Sequence, residues 1–293
     1  MKDKVIYYNI YAAFLFLCIG LMSLQPSATE SAKPSIRPMV VTTIKPLAII
    51  ARSAVGDAAE VEYLLPGNQA PHDFAPPASG LRKMAQADLV LWVGPGFETR
   101  SAKTIQRLPS AKRIAAIDFA DEPQGSSPDD QHNHSLATDP HIWLNPNKAN
   151  KIAAQLQAHL GLPIAAIISQ QKIAQLEQQL AADKDKTYLS HHDAYGHFAE
   201  AFGLAPGLSI RDASGEVQGA KSQYQLRKNI ASANVSCIFV EPQYQDKDAS
   251  VIADEFGLAL IQLDPQGMAQ SLNNNAYLEF IDNLVEQFKV CYQ

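Results

Sequence analysis

Short runs of apolar and β-branched residues alternate along the chain with segments whose apolar positions recur every three or four residues. The short runs at Pro38–Ile44, Val61–Leu65, Asp88–Val93, Arg113–Ile117, Thr187–Ser190, Leu208–Arg211, Ser236–Val240 and Leu258–Leu263 predict strands. Between them, Ala78–Ala87, Phe97–Arg107, Ala194–Phe202, Gly219–Ala231 and Asp246–Phe256 predict helices. The last helix is the clearest. Tyr277, Phe280, Ile281, Leu284, Val285 and Phe288 form one apolar stripe at i, i+3, i+4 spacing, a face made for core packing. Strands alternating with helices imply parallel sheets covered on both faces.

The strands fall into two sets, separated by a stretch without strand signals. Within it, Asn147–His159 and Ile164–Ala182 both read as helices, interrupted by Gly161 and Pro163. The second would span about 30 Å at 1.5 Å per residue, enough to bridge two lobes. Before them, 123–139 (PQGSSPDDQHNHSLATD) is polar and poor in apolar residues, and reads as a mobile loop. The expected fold class is α/β: two α/β lobes, each around a mainly parallel four-stranded sheet, bridged by a long helix. The expected boundaries are 36–160 for the N-terminal lobe, 161–183 for the connecting helix and 184–293 for the C-terminal lobe. Ligands of such lobes bind beyond the carboxyl ends of the strands, which places the site in the interlobe cleft.

The amino-terminal segment carries a different pattern. Lys2 and Lys4 precede an apolar run from Ala12 to Met22, followed by the small, polar stretch SLQPSATESAKP. That order is a secretory signal peptide over residues 1–32, cleaved near 28–32. A membrane anchor is the alternative, but the apolar core falls short of the ~20 residues that span a bilayer comfortably. Leu17 stands where a lipoprotein needs a small residue before Cys18, so there is no convincing lipobox and the location expected is periplasmic. Lys and Arg number 24 against 30 Asp and Glu, a net charge of −6, and removing the leader leaves that balance unchanged. With no basic surplus to neutralise phosphates, nucleic acid is excluded as a partner. Export leaves two of the three cysteines, Cys237 and Cys291. In an oxidising compartment two thiols most simply form one disulfide; the alternative is a pair of buried free thiols.

Candidate chemistry lies with the histidines. His72 follows a strand in a Pro-rich turn, His141 lies in DPHIWLNP just before a helix, and His192 ends the strand TYLSHH. Asp264 closes the strand LALIQLD. Four potential ligands thus stand at strand-to-loop transitions, two in each lobe. Three neutral imidazoles and one carboxylate would make a closed tetrahedral shell for Zn2+. Spacing alone leaves this open, because a lone histidine at a strand end is more often a polar cap.

Several segments, in order, resemble one family: VVTTIKPLA (40–48), LLPGNQAPHDF (64–74), ADLVLWVGPGFE (87–98), DPHIWLNP (139–146), HDAYGHF (192–198), FVEPQY (239–244) and LDPQG (263–267). The chain is similar to the cluster A-I substrate-binding proteins of ABC transporters, specifically the zinc-binding ZnuA type. The resemblance covers the chain from about residue 38 to its end. It implies two α/β lobes bridged by a long helix, with metal bound between them by His72, His141, His192 and Asp264. It also implies a Cys237–Cys291 disulfide, periplasmic capture of Zn2+, and delivery to an inner-membrane ABC permease with its cytoplasmic ATPase, by a monomer that is not an enzyme.

Two readings compete with zinc delivery. Manganese-binding members of the family have Glu where His192 stands; a third imidazole shifts preference toward Zn2+. A periplasmic zinc hydrolase would need an open water position, and no HExxH is present. The chain also departs from the family. The His-rich loop common before DPH shrinks to His132-Asn133-His134, where His132 and His134 with nearby acids would at most collect metal loosely. His191 stands where an apolar residue is usual; strand alternation is expected to turn it away from the cleft if His192 faces in. Glu98 and Glu241 read as carboxylates around the site rather than ligands, His159 as partly exposed, and His197 as a packing or solvent-facing residue.

Overall fold

The computed structural model describes residues 37–66, 74–119, 139–216, 218–244 and 247–293. The leader, His72, His132, His134 and all of the 123–139 loop before Asp139 lie outside the described residues. The first sheet contains β1 (Met39–Thr42), β2 (Glu60–Tyr63), β3 (Leu89–Trp92) and β4 (Arg113–Ala115), and the second β5 (Thr187–His192), β6 (Leu208–Arg211), β7 (Val235–Val240) and β8 (Ala259–Gln262). All pairings are parallel, in the orders β2-β1-β3-β4 and β6-β5-β7-β8. The strands therefore fall where the apolar runs predict. Every side chain of β3 is buried, as expected of a parallel strand covered on both faces. Both sheets share one topology, so the strand order reverses between β1 and β3 in one lobe and between β5 and β7 in the other. Those reversals open the crevices in which α/β sheets bind ligands.

The helices are α1 (Lys45–Val55), α2 (Ala78–Gln86), α3 (Ala102–Gln106), α4 (Pro146–His159), α5 (Gln170–Leu180), α6 (Gly196–Phe202), α7 (Ala220–Ser232), α8 (Lys247–Phe256) and α9 (Ala276–Tyr292). Among the described residues no helix is long and apolar enough to cross a membrane.

Three expectations need correcting. Helix α1 is absent from the predicted set; it follows β1 after only Thr43 and Ile44, and residues 45–51 are all buried, so its apolar run continues that of the strand. The helix expected over Phe97–Arg107 begins only at Ala102, because the Glu98 side chain accepts the amides of Val93 and Gly94 and holds the preceding turn at the end of β3. The connecting helix expected over 161–183 is only α5, 11 residues and about 16 Å long, plus one 3-10 turn. The segment before it is not helical because α4 side chains satisfy its backbone. Gln157 Oε1 accepts from the amide of Ala165, and Asn150 Oδ1 accepts from those of Ile167 and Ile168, while Asn150 Nδ2 donates to the Ile168 carbonyl. Ser169 then caps α5 by accepting from the Lys172 amide.

Helix α9 touches both lobes. It packs on α1 and on β7 and β8, within one apolar cluster that includes Leu47, Ile50, Leu144, Ile152, Phe239 and Phe288. Polar contacts follow the same seam: the Tyr277 amide donates to Ser53 Oγ, its hydroxyl to the Trp143 carbonyl, Trp143 Nε1 to the Pro265 carbonyl, and Lys45 Nζ to the Met268 carbonyl. A disulfide joins Cys237 on β7 to Cys291 on α9, with Cα atoms 5.4 Å apart.

Candidate metal centre

At the reversal point of the second sheet, β5 ends in His192 and β7 runs directly into Glu241. Strand alternation sends Tyr188, Ser190 and His192 to one face, where Tyr188 joins the cluster around α9, and Leu189 and His191 to the other. Glu241 Oε1 lies 2.5 Å from His192 Nδ1. The segment that carries His141 is shaped by Asp139. Its Oδ1 accepts the His141 amide at 2.9 Å and sits 2.7 Å from His141 Nδ1, so one carboxylate oxygen fixes both backbone and ring.

The two rings meet through their other nitrogens. His141 Nε2 and His192 Nε2 are 3.2 Å apart, with ring centroids at 5.0 Å. With each Nδ1 hydrogen directed at a carboxylate, both Nε2 lone pairs face the same space. A tetrahedral ion with Zn–N bonds of about 2.05 Å sets two nitrogens about 3.3 Å apart, so the pair already has the span of a chelate. All four side chains are deeply buried: His141 is 2% exposed, His192 3%, Asp139 7% and Glu241 1%. Aromatic rings wall the centre. Phe97 and Trp143 stand edge-on to His141, with centroids at 6.4 and 5.2 Å, and Tyr244 tilts over His192 at 5.6 Å.

Burial opposes an ionised imidazole, but the charge and hydrogen bond of Glu241 outweigh it and hold the His192 pKa above its ordinary value. Burial likewise opposes ionisation of Asp139, and the His141 partner overrides it, leaving Asp139 below the usual carboxylate range. The centre therefore holds anionic charge behind two imidazoles, an arrangement that attracts a cation.

A family model described as zinc-uptake complex component A, periplasmic, matches residues 40–162 and 168–291. The chain belongs to this family. Relatives include the high-affinity zinc uptake system protein ZnuA of Haemophilus ducreyi, 31% identical across 86% of this chain and 92% of that one. The protein of the same name from Yersinia pestis is 29% identical across 86% and 90%. Among solved structures, the periplasmic zinc binding protein TroA from Treponema pallidum superposes with a TM-score of 0.67 at 18% identity, covering 86% and 99%. A zinc-bound ZnuA deletion mutant gives 0.67 at 23%, covering 88% and 98%. At these identities the solved structures show the fold.

In this zinc-uptake component A protein, the predicted site residues are placed unequally. His141 and His192 come together; His72 lies outside the described residues. Asp264 follows β8, half-buried, and its carboxylate accepts the amides of Gln266 at 3.0 Å and Met268 at 2.6 Å. The carbonyl of Pro265 is held by Trp143, whose ring touches His141, so the Asp264 turn is tied to the same centre. Among the described residues, no group of three or more His, Cys, Asp or Glu stands in metal-holding geometry. His191 is buried with its ring 4.7 Å from Tyr244. His159 is exposed on α4, whereas His197 is fully buried.

Sequence reasoning undervalued Asp139, whereas Glu241 stands where it was expected, a carboxylate beside the site. Asp139 stands two residues before His141, the spacing of a side chain that caps its own turn. Glu241 is the first residue past a central strand at the sheet's reversal point, and the topology shows that its partner is His192.

Proposed function

We propose that this protein captures Zn2+ outside the inner membrane and delivers it to an ABC permease with its cytoplasmic ATPase. The observation that carries this reading is the pair of Nε2 atoms 3.2 Å apart, each backed through Nδ1 by a buried carboxylate. Carboxylate–histidine pairs raise ligand basicity and fix the ring, which is how outer partners tune a metal centre. His141, His192, His72 and Asp264 complete the proposed shell, three nitrogens and one oxygen, a set that suits Zn2+ better than Mn2+. The leader 1–32 exports the chain, and the proposed lobes 36–160 and 184–293 flank the site. A shell closed by four side chains leaves no water position, so the protein is a carrier and not a hydrolase.

The test is an anomalous-scattering map at the zinc edge, on protein purified under mild chelation and reloaded with one equivalent of Zn2+. One peak within bonding distance of His141 and His192 is the expected result. A peak elsewhere, or preferential loading by Mn2+ from an equimolar mixture, refutes the proposal.

A further inference from the structure

His197 is fully buried in α6, five residues after β5 ends at His192, yet it is no part of the proposed shell. Its ring has two hydrogen-bond partners, and Glu200 Oε2 stands farther off, 3.6 Å from Nδ1. Nε2 lies 3.0 Å from the carbonyl oxygen of Asp139, and Nδ1 lies 3.0 Å from Lys148 Nζ. A carbonyl only accepts and an ammonium only donates, so both contacts are satisfied by one form of the ring, neutral with its hydrogen on Nε2. The Lys148 charge is itself met inside the protein by Glu200 Oε2 at 2.9 Å, and Asn145 Nδ2 donates to the same oxygen at 3.1 Å.

We infer that His197 is a positioning residue for the metal centre: its Nε2 hydrogen holds the Asp139 carbonyl in place, and through Asp139 it sets the direction in which His141 Nε2 points. This inference rests on the zinc reading of His141 and His192. The segment Asp139–Pro140–His141 lies in no strand or helix, and Pro140 has no amide hydrogen to anchor it. Asp139 grips His141 twice, so any drift of the Asp139 backbone rotates the His141 ring. Lys148 in turn holds the His197 ring in the tautomer that donates. Burial and the Lys148 charge lower the His197 pKa and outweigh the Asp139 and Glu200 carboxylates, which oppose them, so the ring is held below its ordinary value. Because α6 follows His192 directly, the network also relates one metal-facing imidazole to the other.

Two substitutions separate this role from packing. His197→Phe fills the volume but donates nothing, while His197→Gln places an amide N–H near the Nε2 position. Zinc dissociation constants are measured for the exported protein and both variants at pH 8 by competition with a chromophoric chelator, together with the melting temperatures of the metal-free forms. Loss of an outer partner of a metal ligand lowers affinity by roughly 10- to 100-fold. The expected result is a loss of about tenfold or more in H197F and a value within about threefold of wild type in H197Q. Wild-type affinity in H197F overturns the inference. So does H197Q as weak as H197F, which would make shape and not the hydrogen bond the contribution. Ring 15N shifts of His197 in the wild-type, metal-free protein give a test that needs no variant to fold: a hydrogen on Nδ1 overturns the placement. Wild-type protein that takes up no zinc would instead sink the zinc reading, while the ring tautomer still decides the position of His197.

Discussion

Removing the carboxylate behind His192 gives the sharpest test of how the centre works. Glu241→Ala leaves the His192 Nδ1 hydrogen buried without its acceptor, a cost of about 2 kcal/mol, or roughly thirtyfold in zinc affinity at pH 8. Glu241→Gln keeps an acceptor oxygen and removes the charge, so about tenfold is expected, the lower end for outer partners. The two forms should also respond differently to acid. In the wild type Glu241 holds the His192 pKa above ~6.5, so protons compete with the metal before pH falls to that value. In E241Q burial becomes the dominant influence and depresses the pKa, so the loss of affinity between pH 8 and pH 6 should flatten. Metal-free stability runs the opposite way. A histidine whose folded pKa is raised contributes stability that is present below ~6.5 and lost as pH rises through the folded value. E241Q should therefore be destabilised more at pH 6 than at pH 8.5. Chelator competition and urea unfolding, each at both ends of the pH range, measure these effects. E241A within threefold of wild type at pH 8, or an unchanged pH slope in E241Q, would refute the reasoning.

Alanine at His72, His141, His192 or Asp264 should each lower zinc affinity at least tenfold, about 1.4 kcal/mol, whereas deleting Gln131–Ser135 should change it less than about threefold; titration calorimetry distinguishes the two classes. Burial lifts Glu98 from its ordinary 4.5 to about 6 against hydrogen bonds from Thr43, Gly94 and Val93, so its ionisation costs the folded state about 2 kcal/mol at pH 7. That penalty disappears as pH falls from 6 to 4.5, so the wild type should gain about 2 kcal/mol on Glu98→Gln over this interval; a pH-independent difference in unfolding free energy between the two counts against it. Reducing the Cys237–Cys291 link, which closes a separation of 54 residues, should lower stability by roughly 4 kcal/mol in the chain-entropy account. Melting with and without reductant, compared with a Cys237→Ala/Cys291→Ala variant, checks the size.

Where local pattern and global fold agree, the sequence is readable. The eight strands are short apolar runs bounded by turn residues, and α9 shows a stripe that nothing else explains. Helix α1 escapes because it follows β1 after only two residues and opens on Lys45 and Pro46, so its apolar run merges with that of the strand before it. The shortened α5 escapes for a different reason. Residues 165–168 look helical, yet Asn150 and Gln157 on another helix supply their backbone partners, which is a matter of tertiary contact. The same divide runs through the site. His141 and His192 stand in recognisable segments, DPHIWLNP and HDAYGHF. The His192–Glu241 pair joins strands 49 residues apart in sequence, and His197 reaches Asp139 across 58, distances at which no local pattern survives.

Helix α9 is a strut with unequal clamps. At one end Cys291 is bonded covalently to β7, and about 21 Å away Tyr277 is held by hydrogen bonds to Ser53 and to the Trp143 carbonyl. A load that draws the lobes apart cannot be relieved at the sulfur end, so it falls on Tyr277. The residue that receives it, Trp143, is two positions from His141 and lies against its ring. Mechanical work done on either lobe is thereby directed toward His141, so under the proposed zinc reading a partner that grips both lobes would loosen that ligand before it disturbed either sheet.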